Sequence, residues 1–595
     1  MAISKKSRSD IESKAINIVD TERSNWSDAV CYVTENVGFK MRHMIRMFRK
    51  NYWGVFDDPV DPNTKQEKFW FHLAMKIVED IVKNIDLDQK DVNFKAKNPD
   101  GYAITEVVRA FVKEKLRKMY FGEILDETER QLCIDGTVVW KTWTEGKQVK
   151  RKTVDLLHVY IDPTEENIQS AYRFTERGIQ LPEQIEGMKG WLNTKDIKGS
   201  KGLDKNDSDR GNGTATPTTG SFVDVWEMWG KMPKYLITGI KEDMDEEVDG
   251  HIVVSGLESG DKRVHLIELN DNKDSEGNII KPYEELRAVK VSGRWYGLGF
   301  VERILALQEY LNTIMNVRIN RHRVSQLGLF KIKKGQGITA QMLANLPSNG
   351  AIVVNNMDDI DQMNVQGVDE TSYRDEEVVK EWASGVTQAY PASTGETMPA
   401  SASATAVAIE SNGSRSAYTM TKNAMGSFIE RWTDRHFLPR IAKTMSQKDL
   451  LRIVHDDEKY KEIVERVVNY YALEAMPNTS DIILPQEVEA ELESATEKLM
   501  KKDGLFFELV QEIIAKNVDT CVYVTNEELN PNIMVRNIID VLNIAPEYKE
   551  PLTKEIFSLM GIDIPRLPKA MPVQTGQATG AMPTEQNTLT QALTA

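Results

Sequence analysis

WYGLGFVERILALQEYLNTIMNVRINRHRVSQL, residues Trp295 to Leu327, is the stretch from which the rest of the chain can be read. From Phe300 to Leu327 it holds no Gly and no Pro. Val301, Ile304, Leu305, Gln308, Leu311, Met315, Arg318 and Ile319 recur at helical spacing. One uninterrupted helix of that length would reach on the order of 40 Å, well beyond an ordinary three-turn helix. Its apolar seam is broken by Gln308, Asn312 and Asn316, and it finishes in Arg318, Arg321, His322 and Arg323, with cations where the helix dipole favours them. A seam that is half polar does not suit a dry core. Two settings satisfy it equally: a long surface helix of a large α/β enzyme, or a helix lining a symmetric assembly.

Working outward, 595 residues exceed what one hydrophobic core supports, so several domains or sub-domains are expected. Apolar content of 41% and charged content of 28% provide for a folded core. The three cysteines, Cys31, Cys133 and Cys521, are too far apart for a metal knuckle or a redox pair, which suits a reducing compartment. The first twenty residues lack a signal-like apolar core, and no run of about 18 apolar residues occurs, so neither secretion nor a membrane span is expected. A net charge of −16 disfavours a protein that grips nucleic acid through clustered cations, while leaving room for a surface past which DNA slides.

Toward the N-terminus, residues 8–50 read as helical and end in a basic, Met-rich patch in which Lys40, Arg42, His43, Arg46, Arg49 and Lys50 alternate with apolar residues. An inward-packed amphipathic face explains that patch better than a membrane or nucleic-acid helix does. Helices are expected over Phe69–Ile85, Ala103–Met119 and Ile124–Ile134. A hairpin follows from Thr137–Trp143 and Val149–Val159 around Glu145-Gly146, and Ile161-Asp162-Pro163 stops it. Asn193–Ser221 is too polar to order itself, and Phe222–Trp229 and His251–Leu269 supply more strand. Past Leu327 come strand Leu329–Ile332, a basic turn Lys333–Gly337, a short helix Thr339–Leu346 and strand Ala351–Val354. A second helix spans Ser372–Ala389, with Val378, Val379, Trp382 and Val386 on one face. Tyr390–Ala402 is a Pro/Gly loop. A third long helix carries Ala417, Met420, Ala424, Phe428 and Trp432 at helical spacing until Pro439 kinks or ends it. Val488–Lys516 and Asn532–Leu559 read as helical around strand-like Thr520–Val524, and Lys569–Ala595 as a disordered tail.

No phosphate-binding glycine loop, zinc-protease helix, nucleophile elbow or calcium loop is present. The eight histidines lack a second ligand at metal spacing. The acidic runs Asp243–Asp249 and Asp358–Asp361 are more readily solvated turns than cation sites. The sequence therefore offers no catalytic constellation and no cofactor site.

The order of parts resembles the portal, or head-to-tail connector, proteins of tailed double-stranded DNA bacteriophages. The residues carrying this resemblance are Gly297-Leu298-Gly299 with Glu302, Gln308 and Asn312. Asp135-Gly136 before the strand through Trp140, Ile161-Asp162-Pro163 followed by Ala171-Tyr172-Arg173-Phe174, and Glu227-Met228-Trp229 support it. The resemblance implies a mainly α fold with α+β sub-domains, built as wing, stem, clip and crown in a dodecameric ring. It implies a wing at 1–296, stem helices at 297–328 and 368–389 around a clip at 329–367, and a tunnel loop at 390–402. The remainder of the wing with the long helix then falls at 403–487, the crown at 488–568 and the tail at 569–595. Thr394, Gly395, Glu396 and Thr397 would face DNA in the channel, and Lys331, Lys333 and Lys334 would sit where the motor and adaptors dock. Arg318, Arg321 and Arg323 would bridge subunits or face DNA. The implied function is non-enzymatic: a ring at one capsid vertex, present in the virion and assembled in the host cytoplasm, through which the genome is packaged and ejected. Its implied partners are further copies of itself, the terminase large subunit, neck and tail adaptors, and a capsid or scaffolding protein. The alternative from another class is a metal-dependent nucleic-acid-processing enzyme. A third reading, a peripheral membrane protein using residues 40–50, predicts liposome binding.

Overall fold

Alternating and helical periods sort this chain into a mixed α and β protein, and a computed structural model gives its architecture. The residues it describes are 5–34, 37–62, 65–85, 87, 92–96, 102–146, 148–199, 222–258, 260–274, 276–327, 329–332, 360–363, 370–389, 404–444 and 518–522. Residues Met1–Val524 form one compact unit and Thr525–Ala595 another. The second unit lies outside the described residues, as do residues 200–221, most of the expected clip, the expected tunnel loop and the expected tail.

The N-terminal region is not one helix. Helix α1 (Lys5–Trp26) is followed by a hairpin, β1 (Val30–Thr34) with β2 (Val37–Lys40), and then by α2 (Met41–Trp53). Val30, Cys31, Tyr32 and Val33 are β-branched, aromatic or small, and together they outweigh the helical pattern on either side. Helix α3 (Leu73–Ile85) starts later than its apolar run: residues 69–72 lie outside the helix, and the Leu73 N–H turns back to the Phe71 carbonyl at 2.9 Å. Strand β3 (Val92–Ala96) precedes α4 (Tyr102–Lys118) and α5 (Phe121–Asp135).

Two antiparallel sheets follow. Strands β4 (Thr137–Glu145) and β5 (Gln148–Val154) pair Glu145 with Gln148 across the tight turn, and β11 (Tyr283–Arg287) lies on the other edge of β4. The expected strand through Val159 is interrupted by a single 3₁₀ turn, Leu156–His158, in which Asp155 caps the Leu157 N–H. The larger sheet has the order β10 (Arg263–Leu269), β9 (Glu247–Ser255), β8 (Val223–Pro233), β7 (Arg173–Gln180), β6 (Val159–Tyr160). Two short helices, α6 (Pro182–Glu186) and α7 (Tyr235–Thr238), sit in its connections. Helix α1 covers this sheet, burying Ile11, Ala15 and Val19 at four-residue spacing among Trp226, Ile252 and Val254.

Helix α8 runs from Phe300 to Leu327, with β12 (Leu329–Ile332) antiparallel to β13 (Ile360–Met363) beyond it. Helix α9 (Glu370–Thr387) packs against α8. Helix α10 (Ala404–Trp432) does not stop at Pro439. It passes through a π turn, Thr433–Phe437, into α11 (Leu438–Thr444). The Leu438 N–H reaches back to the Thr433 carbonyl, so the ladder widens just before the residue that has no N–H. The buried stripe of α10 is Tyr418, Thr421, Met425, Phe428, Ile429 and Trp432, whereas Met420 points outward at 75% exposure. Phe428 and Trp432 close on Trp140 and Phe121, with centroid separations of 4.7 to 5.7 Å, and Trp432 Nε1 donates to Thr142 at 2.9 Å. Strand β14 (Val518–Val522) pairs with β3, so part of the expected crown is stitched to the expected wing.

Candidate functional site

The start of α8 is closed by backbone approach. Gly136 caps α5 in the left-handed region (φ +76°), and its N–H reaches Leu132. A Cβ there would lie 2.5 Å from both the Gly297 carbonyl oxygen and the Gly299 nitrogen, while one on Gly297 would lie 2.3 Å from the Gly136 oxygen. Two motifs 160 residues apart thus meet at one contact, sealed by Thr137 Oγ1 accepting from Gly297 N at 2.7 Å. Arg294 clamps the turn: it donates to the carbonyls of Tyr296 and Gly297 and, bidentately at 2.9 and 3.0 Å, to Glu302 in the first turn of α8. On the other side, Arg49 bridges Asp135, which is buried, and Asp155, which is partly exposed, at 2.7 and 2.8 Å. Burial alone would lower the Arg49 guanidinium; the two carboxylates outweigh that and hold it charged.

Arg49 belongs to the basic patch, and the structure accounts for much of that patch internally. Arg42 stacks 3.9 Å over Tyr160 and donates to the Val159 carbonyl, and Lys50 pairs with Asp57. Met41, Ile45 and Phe48 are buried, which is the inward-packed reading and leaves that apolar face unavailable to a membrane. Among the described residues no helix is long and apolar enough to cross one.

The polar interruptions of α8 form a ladder at four-residue spacing. Gln308 Oε1 accepts from Ala74 N at 2.9 Å and its Nε2 donates to the Phe71 carbonyl. Asn312 Oδ1 accepts from Phe71 N at 2.9 Å, and Asn316 both accepts from Phe69 N at 2.7 Å and donates to its carbonyl at 2.8 Å. Three side chains thereby satisfy backbone groups of the non-helical segment that leads into α3. The polar breaks in the seam at Gln308, Asn312 and Asn316 therefore have partners within the chain itself.

Further along α8 the support thins. Gln308, Leu311 and Asn312 are buried, but from Thr313 to Arg323 every residue is half-buried or exposed. Arg318 is engaged with α9: its Nη1 lies 2.6 Å from Glu376, which also binds Lys380 at 2.5 Å, and its guanidinium sits 4.1 Å over Tyr373. Burial raises the Glu376 carboxyl, but the hydrogen bonds from Lys380 and Arg318 prevail and hold it below the ordinary range. Arg323 donates to Gln66, and Arg321 is exposed. On α9 the expected single apolar face divides: Val379, Ala383 and Thr387 are buried, while Trp382 is 60% and Val386 46% exposed. Lys331 stands opposite Asp361 in the β12–β13 register. Lys333, Lys334, Thr394, Gly395, Glu396 and Thr397 lie outside the described residues.

No protein-family model matches this chain, and no curated protein matches it either. Function therefore rests on the residues themselves.

Sequence reasoning missed two buried charge networks that join the layers. In one, Lys141 on β4 meets Glu176 on β7 at 2.9 Å and also Glu227 on β8, with the Tyr283 hydroxyl donating to Glu176 at 2.8 Å. In the other, Glu284 on β11 accepts from Arg431 at 2.8 Å and lies 3.3 Å from both Arg435 and His436 on the α10–α11 side. A buried charge on a strand is a signal that a partner exists, but the sequence does not say which one. In the acidic run Asp243–Asp249 several acids pair with lysines or hydroxyls: Glu246 with Lys234, Asp249 with Lys231, Glu247 with Tyr172 and Asp243 with Thr238. Among the described residues no group of three or more His, Cys, Asp or Glu is placed to hold a metal ion.

Proposed function

We propose that this chain is a phage portal protein: a ring, dodecameric by the resemblance, that sits at one capsid vertex and conducts double-stranded DNA inward during packaging and outward during ejection. One observation carries the reading. Helices α8 and α9 pack side by side, yet from Thr313 on α8 has no buried residue among those whose burial is described, and Tyr310, Val317, Trp382 and Val386 are exposed large apolar side chains on the pair. Half of a 28-residue helix with so little core of its own gains support when further copies of the chain lie beside it. The motif residues behind the resemblance give local support, because Asp135-Gly136 and Gly297-Leu298-Gly299-x-x-Glu302 interlock at the base of α8. In this reading the β12–β13 pair belongs to the clip that docks the terminase large subunit and later the neck and tail adaptors. The wing, carried by the two sheets, meets capsid or scaffolding protein. The chain itself performs no hydrolysis.

Native mass spectrometry and negative-stain imaging of the purified protein test this. A closed ring of many copies with a central hole is the expected result, together with no DNA cleavage when Mg²⁺ or Mn²⁺ is added. A monodisperse monomer, or cation-dependent turnover of DNA, overturns it.

A further inference from the structure

A cleft of about 400 Å³ opens where the C-terminal end of α4, the β4–β5 hairpin and α11 meet. Its rim carries Lys115, Lys118, Lys150 and Arg151, and no carboxylate is among its described lining residues. In a chain of net charge −16 that is a local reversal of sign. Its floor is apolar, with Met119, Ile124, Phe437 and Ile441. Phe437 is delivered there by the π turn, stacked on Trp432 at 4.7 Å.

Arg151 is the chemically incomplete member. Its guanidinium lies 4.1 Å over the Trp140 ring, and its Nε and Nη1 have no hydrogen-bond partner. Burial lowers it to about 10, with Glu127 the acid that opposes the drop. A half-buried guanidinium with two shielded, unbonded nitrogens and no bonded acid favours an anion at the part of it that lines the cleft. Lys118 has Glu114 at 2.6 Å, and the Lys115 ammonium sits 5.0 Å over Phe111.

We propose that this cleft is a docking site for a short acidic segment of a partner protein, one that places an apolar side chain on the Phe437–Ile441 floor and carboxylates against Arg151 and the three lysines. The apolar floor decides the class of partner. A phosphodiester backbone has nothing to place on it, whereas a peptide alternating acidic and apolar residues matches both parts. The site stands or falls separately from the ring reading, since it belongs to a single protomer.

The test is a fluorescence-anisotropy titration of the full-length protein with a labelled peptide of alternating glutamate and leucine. Comparison probes are an all-glutamate peptide, a lysine–leucine peptide, inorganic phosphate and a duplex DNA oligonucleotide. Saturable, salt-sensitive binding of the Glu–Leu peptide is expected, weakened by about tenfold or more when the exposed rim lysines are reversed in a Lys118→Glu, Lys150→Glu variant with unchanged circular dichroism. Absence of binding, affinity unchanged in that variant, equal affinity for the all-glutamate or lysine–leucine peptide, or displacement by phosphate or duplex DNA overturns the proposal.

Discussion

Gly136 shows how one residue can hold two distant motifs together. Its φ of +76° and the 2.5 Å approach of Gly297 and Gly299 leave no room for a methyl group. Gly136→Ala should therefore cost about 3 kcal/mol or more in chemical denaturation, whereas Ala at Gly122, which has open space around it, should change little. Glu284 and Glu285 are a second case, adjacent on β11 yet driven apart. Burial raises Glu284, but His436, Arg435 and Arg431 outweigh it and keep it ionised, while burial and the neighbouring Glu284 push Glu285 up to about 7. Between the ordinary value of 4.5 and about 7, folded Glu285 keeps a proton that the unfolded chain has released. Stability must then fall as pH rises through that window, by on the order of 3 kcal/mol from this group. Glu285→Gln keeps an acceptor for the Ile168 N–H and should flatten that fall, as urea midpoints taken at pH 5 and pH 7.5 would show.

At the scale of elements, α8 is held by different physics at its two ends. Near its start the ladder of Gln308, Asn312 and Asn316 fixes the non-helical segment before α3. Gln308→Leu leaves the Ala74 N–H without a partner and the Phe71 carbonyl with the Leu73 N–H alone, so a loss on the order of 2 kcal/mol is expected. Hydrogen exchange should quicken at Phe71 and Ala74 before it does within the core of α3. Toward its end α8 is tied to α9 by Arg318 and Glu376, both largely shielded from solvent. A double-mutant cycle with Arg318→Ala and Glu376→Ala should return a coupling of about 1–2 kcal/mol even in an isolated protomer, because both partners lie on one chain. Coupling that appears only in an assembled particle would refute that assignment.

For the whole molecule, the ring reading turns on side chains that a single copy leaves uncovered. Trp382 is 60% exposed, so Trp382→Ser should alter protomer stability by less than about 0.5 kcal/mol. If further copies cover that face, the same substitution should shift native mass toward smaller species. Unaltered assembly would place the contact elsewhere.

Periodicity sufficed to place α8, α9, α10 and the β4–β5 hairpin, because helical and alternating spacing depend on residues within a few positions of one another. The amphipathic pattern of the basic, Met-rich patch likewise favoured an apolar face that packs inward, as Met41, Ile45 and Phe48 do. What neighbours a face was beyond the reach of such local patterns. Gln308 meets a backbone 234 residues away, and Glu284 a histidine 152 away. The split of the α9 face between Val379 and Trp382, the outward turn of Met420 and the continuation past Pro439 also depended on which layer arrived to cover each side chain. Burial is decided by contacts between distant segments, so the tertiary structure alone could settle it.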